Sequence, residues 1–432
     1  MGLSALGEEM EKRLCSLEQK GLARTLRRYS SLDHLEAELA VASGFLKRCE
    51  DLAATVYESQ VGLSGDWNKH DSDLNAKILD FTKNDYLCLG RLGAYAPFLR
   101  EFHQTFGLGS EGSRLLGACQ DAFQIAETYA ASTFGFESAI YMGSGFSANV
   151  SLISLLSDFD VTFFSDQLNH ASTVDGIRRS GLSKSSRVVF SHRNYDELES
   201  KIENATTVHK IIFSESVYSM DGTVADLSRL IAICKKYSCV LVLDEAHSVG
   251  VSGHSGLGFL NDLDAETKNN YVIGVVPLGK APALSGAFVL GPDVLIRYFI
   301  NHNRAFIYST APSPVVVAAS VYGMVLMSLC GEERKRLSHA AKGFRDRLSG
   351  AQIDTAASES HIVPVVAGGL DRVNRLRDHL MERGMECVAV RPPTVASGTE
   401  RIRLSLHSHL SDSQFCDLER VVLSFFHKKL GN

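Results

Sequence analysis

Residues 226–248 read DLSRLIAICKKYSCVLVLDEAHS. The first half is a helix-length stretch of mixed polarity. The second half, CVLVL (239–243), is apolar without alternation, as a strand covered on both faces should be, and it ends abruptly in Asp244, Glu245, Ala246 and His247. The same texture recurs on either side. AIYM (139–142), VTFF (161–164), RVVF (187–190), KIIF (210–213), YVIGVV (271–276) and GAFVL (286–290) are short apolar runs separated by helical segments. Strands alternating with helices make βαβ units, so the chain is expected to be an α/β protein with a mostly parallel, doubly wound sheet.

Texture changes toward both ends. Residues 9–60 are helical in character, with Leu32, Leu35, Leu39 and Ala42 at helical spacing, and SGDWNKHDSDLN (64–75) reads as a loop. From about residue 315 amphipathic helices come first, followed by IVPVVAG (362–368), CVAVRPP (387–393) and RIRLSLH (401–407). The expected organisation is a helical segment over 1–75, a large α/β domain over 76–315 and a smaller α+β domain over 316–432.

The 432 residues carry a formal charge of −6 and no basic cluster, which disfavours nucleic acid and anionic membranes as partners. No apolar run is long enough to span a bilayer. MGLSALGEEMEKRLC lacks the apolar core of a secretory signal, and Leu6 stands where a myristoylation start wants Ser or Thr. Nine scattered cysteines without CxxC pairs or metal-ligand spacing read as buried hydrophobes of a reducing compartment, so a cytoplasmic protein is expected.

Open α/β sheets bind ligands at the carboxyl ends of their strands, so the residues just after each run matter most. Asp244 and His247 follow one strand, Glu215 and Ser219 another, and His170 a third. MGSGFSANVS (142–151) follows AIY and opens a helix with small residues; helix N–H groups reached through Gly and Ser make an anion site. GLGSEGSRLLG (107–117) is a second such loop. In GVVPLGKAPALSG (274–286), Lys280 is the one charged residue between Lys268 and Asp293. A lysine in apolar surroundings loses its proton easily and becomes a nucleophile toward carbonyls; the ordinary alternative is a solvated loop lysine. Taken together, a phosphate loop, an acid at a strand end, a histidine at another and an apolar-set lysine match what pyridoxal phosphate requires.

The order of these motifs resembles the α-oxoamine synthases, fold-type-I pyridoxal-phosphate enzymes that condense an amino acid with an acyl thioester and release carbon dioxide. The resemblance runs from NDYLCLG (84–90) through GSGFSANVSLI, LNHASTVDGIRRSG (168–181), SVYSMDGTVADL (216–227), LDEAHSVGVSGHSGLG (243–258), LGKAPALSGAFVLG (278–291) and IYSTAPSP (307–314) to RPPTVASGTERIRLSL (391–406). It implies a large, mostly parallel seven-stranded sheet domain with a smaller α+β C-terminal domain. Lys280 would hold the cofactor, Asp244 would pair with its ring nitrogen and His247 with its ring hydroxyl. His170 would stack on the ring, Gly145 and Phe146 would sit at its phosphate, and Ser219 would lie nearby. Glu215 matches an acidic position of the family that makes a polar contact. Arg403 would bind the substrate carboxylate, with Arg391 a second candidate. The family's homodimeric site would bring Ser309 and Thr310 to a neighbour's phosphate.

The C-terminal stretch is most similar to the biotin-pathway branch, which implies alanine and a pimeloyl thioester, carried by coenzyme A or a carrier protein. Glycine-, serine- and quorum-signal-type condensations, and a non-catalytic partner subunit of the same fold, stay open. Two departures bear on this. Pro277 stands three residues before Lys280, where the family usually has a phosphate-binding Thr, and it offers neither hydroxyl nor N–H. The approach to NDYL is also longer than usual around 30–65, which leaves LRRY (26–29), similar to an arginine pair that contacts coenzyme A, without a firm alignment.

Overall fold

The computed structural model describes residues 2–26, 32–61, 78–117 and 120–427. Its strands are β1 (Leu79–Asp80), β2 (Ser138–Met142), β3 (Val161–Asp166), β4 (Arg187–Phe190), β5 (His209–Glu215), β6 (Val240–Asp244), β7 (Val272–Pro277), β8 (Ala287–Gly291), β9 (Ile362–Val366), β10 (Met385–Glu386), β11 (Ala389–Val390) and β12 (Arg401–Ser405). The seven apolar runs of the central region are β2 to β8, and they form one seven-stranded sheet in the order β2-β8-β7-β6-β5-β3-β4.

Neighbours from β7 to β4 pair in parallel, whereas β8 is antiparallel to both β7 and β2. The connection 278–286 explains the reversal. A parallel return needs a crossover of about a dozen residues or more, and this segment is shorter. Lys280 sits in it.

Both faces of the sheet are covered. Val240 and Val242 of β6 join Ile211 and Phe213 of β5 in one apolar cluster, while Leu241, Leu243 and Ile212 join the other. That is why these runs show no polar alternation. The helix Gly2–Gln19 closes the first face, burying Leu3, Leu6, Met10 and Leu14. Burying a leucine fully is worth roughly 1.5–3 kcal/mol. A hydrogen bond between Glu9 and His209 Nε2 and an ion pair of Glu11 with Arg297 fix this helix in place.

The helical reading of 9–60 is met by Gly2–Gln19 and Leu32–Val61. Arg27, Arg28 and Tyr29 of LRRY and the stretch 64–75 lie outside the described residues. The helix Pro314–Leu329 is apolar all round because it is enclosed, packed on Leu32–Val61, Ala96–Phe106 and Gln120–Phe134. Among the described residues no single helix is long and apolar enough to cross a membrane. A second, antiparallel sheet has the order β11-β12-β9. β1 pairs in parallel with β10, which ties the entry to NDYLCLG to the C-terminal region.

Candidate active site

A cleft of about 670 Å³ opens at the carboxyl ends of the central strands. Lys280, His170, Asp244, His247, Gly145 and Phe146 all line it. Residues from four separate motifs thus meet in one place, as expected where strand ends converge.

Asp244 ends β6, and both of its oxygens are engaged. Oδ1 accepts the Ala246 N–H at 2.9 Å, and Oδ2 accepts Asn149 Nδ2 at 2.7 Å. Both donors are neutral, which leaves the carboxylate's charge for a cation in the cleft. Asn149 also reaches Ser172 Oγ at 3.0 Å. His170 caps the helix Ala171–Arg179, its Nδ1 accepting from the Ser172 N–H at 3.2 Å. Burial lowers its pKa, partly offset by Asp244.

The 278–286 segment is held by its own backbone bonds, Leu278 N–H to Gly286 O at 3.0 Å and Leu284 N–H to Leu278 O at 2.9 Å. Gly286 has φ 103°, and a Cβ there would overlap the Tyr141 ring. Only glycine fits this turn. Burial lowers the pKa of Lys280, opposed by the pull of Asp244 and Glu215. A lysine so placed deprotonates more readily than a solvated one.

Glu215 ends β5 in register with Asp244. Burial, reinforced by Asp244, drives its pKa well above the usual carboxyl value. Its Oε1 is buried without a hydrogen-bond partner.

The helix Gly145–Leu156 begins at the cleft with Ser144 as its cap. Ser144 Oγ accepts the Ser147 N–H in a capping box. Helix geometry leaves the earlier N–H groups, those of Gly145 and Phe146, without intrahelical partners. Pro277 packs against this helix start: a Cβ on Gly145 would lie 2.8 Å from the proline's Cβ and Cγ. The ring fills the place where the family's Thr would offer a hydroxyl.

Arg403, on β12, is buried behind the cleft. Its Nε donates to Ser219 O and its Nη1 to Asn84 Oδ1 at 3.0 Å and to Ser405 Oγ. Its Nη2 lies 3.4 Å from the Tyr86 hydroxyl, which in turn lies 2.6 Å from His247 Nδ1. The expected carboxylate arginine is therefore connected to the cleft through Asn84, Tyr86 and His247. Ser219 enters this network by its carbonyl. Arg391, just after β11, is exposed and does not line the cleft. Ser309 and Thr310 are exposed as well and do not line it.

Asn149, Asn84 and Tyr86 were not singled out from the sequence. Asn149 stands one helical turn after Gly145, on the face that bears the phosphate loop, and that spacing could have exposed it. Asn84 and Tyr86 lay inside a quoted motif, but their partners are more than 300 residues or 160 residues away in sequence.

The donor set suits pyridoxal phosphate: a readily deprotonated lysine, a carboxylate held by neutral donors that can face a protonated ring nitrogen, and free N–H groups at a helix start.

Residues 76–418 match the family model for aminotransferase class I and II. The chain is 32% identical over 403 residues to 8-amino-7-oxononanoate synthase of Burkholderia cenocepacia, a match covering 91% of this chain and 98% of that protein. The crystal structure of 8-amino-7-oxononanoate synthase from Francisella tularensis superposes with a TM-score of 0.68 at 26% identity, covering 81% of this chain and 98% of the other. Serine palmitoyltransferase of Sphingomonas wittichii superposes with a TM-score of 0.74 at 24% identity, covering 81% and 87%, a likeness of fold.

Proposed function

Because the chain belongs to the aminotransferase class I and II family and, within it, to the pyridoxal-phosphate-dependent acyltransferases known as α-oxoamine synthases, we propose that it condenses L-alanine with a pimeloyl thioester and releases carbon dioxide to give an aminoketone. The observation that supports this most is the meeting of Lys280, Asp244, His247 and His170 in one cleft, with Arg403 behind it.

Bound there, the cofactor supplies an electron sink for charge developing at the amino acid's Cα. Lys280 would hold it and, once displaced by the amino acid, take the Cα proton. Its lowered pKa makes the neutral base more available than it would be in a solvated lysine. Asp244, held by Asn149 and the Ala246 N–H, would face the ring nitrogen, and His247 the ring hydroxyl. Gly145 and Phe146 N–H groups would receive the phosphate. Arg403 would take the substrate carboxylate through Nη2, its other donors being engaged. His170 would lie over the ring and assist acyl transfer.

The site reading extends to a homodimer. The loop 107–117 and the loop 308–312 lie together, with Ala311 N–H bonded to Gly112 O, and Pro312 approaches Gly143. Leu108, Leu116 and Tyr308 are exposed on these loops, and Phe146 is exposed at the start of the helix Gly145–Leu156. An apolar surface beside the cleft mouth suits a second copy of the chain, to which Thr310 would reach.

The test is to load the purified protein with pyridoxal phosphate and add alanine, glycine and serine in turn while following the visible band. A response to alanine, and aminoketone formation with pimeloyl-coenzyme A, supports the reading. A response to glycine or serine alone would assign a different amino acid.

A further inference from the structure

Tyr86 bridges two parts of the site that the proposed function treats separately. Its hydroxyl lies 2.6 Å from His247 Nδ1, 3.0 Å from Asn84 Oδ1 and 3.4 Å from Arg403 Nη2. A phenol has one proton to give, so only one of the two acceptors can receive it. Asn84 Oδ1 already accepts from Arg403 Nη1 and, at 3.1 Å, from Ser405 Oγ, which fills its two lone pairs. The amide cannot turn over, since its N–H₂ would then face the guanidinium. Arg403 has only donors, so the Tyr86 oxygen accepts from it. The phenol proton is left for His247 Nδ1, which is also the nearest partner.

His247 is uncharged. Burial holds its pKa well below the usual imidazole value, and Lys280, Arg403, His361 and His170 around it push the same way. A neutral imidazole that accepts at Nδ1 carries its one hydrogen on Nε2. His247 lines the cleft, and Nε2 is the nitrogen the buried network leaves for it. The Tyr86 ring itself is clamped edge-on against His361, with centroids 4.0 Å apart.

We propose that Tyr86 is a positioning residue that fixes His247 as the Nε2–H tautomer and couples it to Arg403, so that filling the carboxylate site changes the hydrogen bond offered to the cofactor's ring oxygen. This rests on the proposed function's reading of the cleft. A carboxylate that draws Arg403 Nη2 away removes a donor from the Tyr86 oxygen and so alters the bond Tyr86 gives to His247. By linkage, the ring's state must in turn alter amino-acid affinity.

The experiment uses the cofactor-loaded protein and Tyr86→Phe, which removes the hydroxyl and keeps the ring. The pH midpoint of the visible band should shift by about one unit, and alanine, read from the same band, should bind about tenfold more weakly. An unchanged midpoint together with unchanged affinity would overturn the proposal. Since Tyr86 is wholly buried, a second measurement needs no substitution at that position. ¹⁵N-histidine NMR of the native protein, assigned by the signal lost in His247→Gln, should find Nε2 protonated and Nδ1 bare; the opposite tautomer would overturn it. A native protein with no visible band would sink the reading of the cleft instead, and the tautomer measured without cofactor would still decide the hydrogen-bond assignment.

Discussion

Asn149 Nδ2 donates to Asp244 Oδ2 at 2.7 Å from the helix Gly145–Leu156, which begins at the cleft. A hydrogen bond to a carboxylate is worth roughly 1.5–3 kcal/mol. Asn149→Ala is expected to lower kcat/KM by about 10- to 100-fold while cofactor stays attached to Lys280. Asn149→Asp should lose more, since it sets a second carboxylate against the first. Steady-state kinetics with a parallel absorbance scan checks both; wild-type kinetics in Asn149→Ala would remove the residue from the site.

Pro277 takes the place of a hydroxyl near the helix start and packs on Gly145. Pro277→Thr should tighten pyridoxal phosphate binding about tenfold, the low end of a charge-assisted hydrogen bond. Gly145→Ala should weaken it, because the new Cβ would press on the proline ring at 2.8 Å. Equilibrium dialysis reads both, and a Pro277→Thr protein that binds no better would show that the phosphate draws nothing from this side.

The exposed Leu108 and Leu116 are expected to be covered in solution. Sedimentation of the native protein should give a dimer, and Leu108→Glu with Leu116→Glu should give a monomer of unchanged circular dichroism. A native monomer would contradict the proposed homodimer.

Acid should destabilise the fold through its buried histidines. Burial pushes His361 and His407 down to about 3 and His409 to about 4, from 6.5. Below about pH 6.5 the unfolded chain takes up protons that the folded chain refuses, so stability is lost as pH falls toward 4, by about 1.4 kcal/mol per unit for each such proton. Glu245, raised to about 7 by burial, acts the other way between 4.5 and 7, and buried Glu215 has the same sign. His247, held well below its usual value, joins the three histidines. His170 and His302 are lowered by burial too, and Asp85 is raised by it, so six histidines stand against three acids and the urea midpoint at pH 5 should lie below that at pH 7.5. An equal or higher midpoint at pH 5 would contradict this balance.

Much of this was legible in the chain. CVLVL and the six apolar runs that flank it became the seven strands of one sheet, because a strand buried on both faces has no polar alternation to disguise it. Asp244, His247 and His170 were legible as strand-end residues and Lys280 as a lone charge in an apolar stretch, and the four share one cleft. The antiparallel setting of β8 was not, since GAFVL reads the same in either direction; only the shortness of 278–286 hints at it. CVAVRPP yielded only Ala389–Val390 as part of the smaller sheet. What sequence position could not give was the network behind the cleft. Arg403, Asn84, Ser405, Tyr86 and His247 come together only when β12 folds back beside residues 84–86, and no local periodicity encodes that contact.

The central claim is that Lys280 carries the cofactor. The direct measurement is to load the protein with pyridoxal phosphate, reduce with borohydride, digest and locate the phosphopyridoxyl group by mass spectrometry. The label should fall on Lys280, and Lys280→Ala should show neither label nor visible band. A label on another lysine, or none on native protein, would contradict the account.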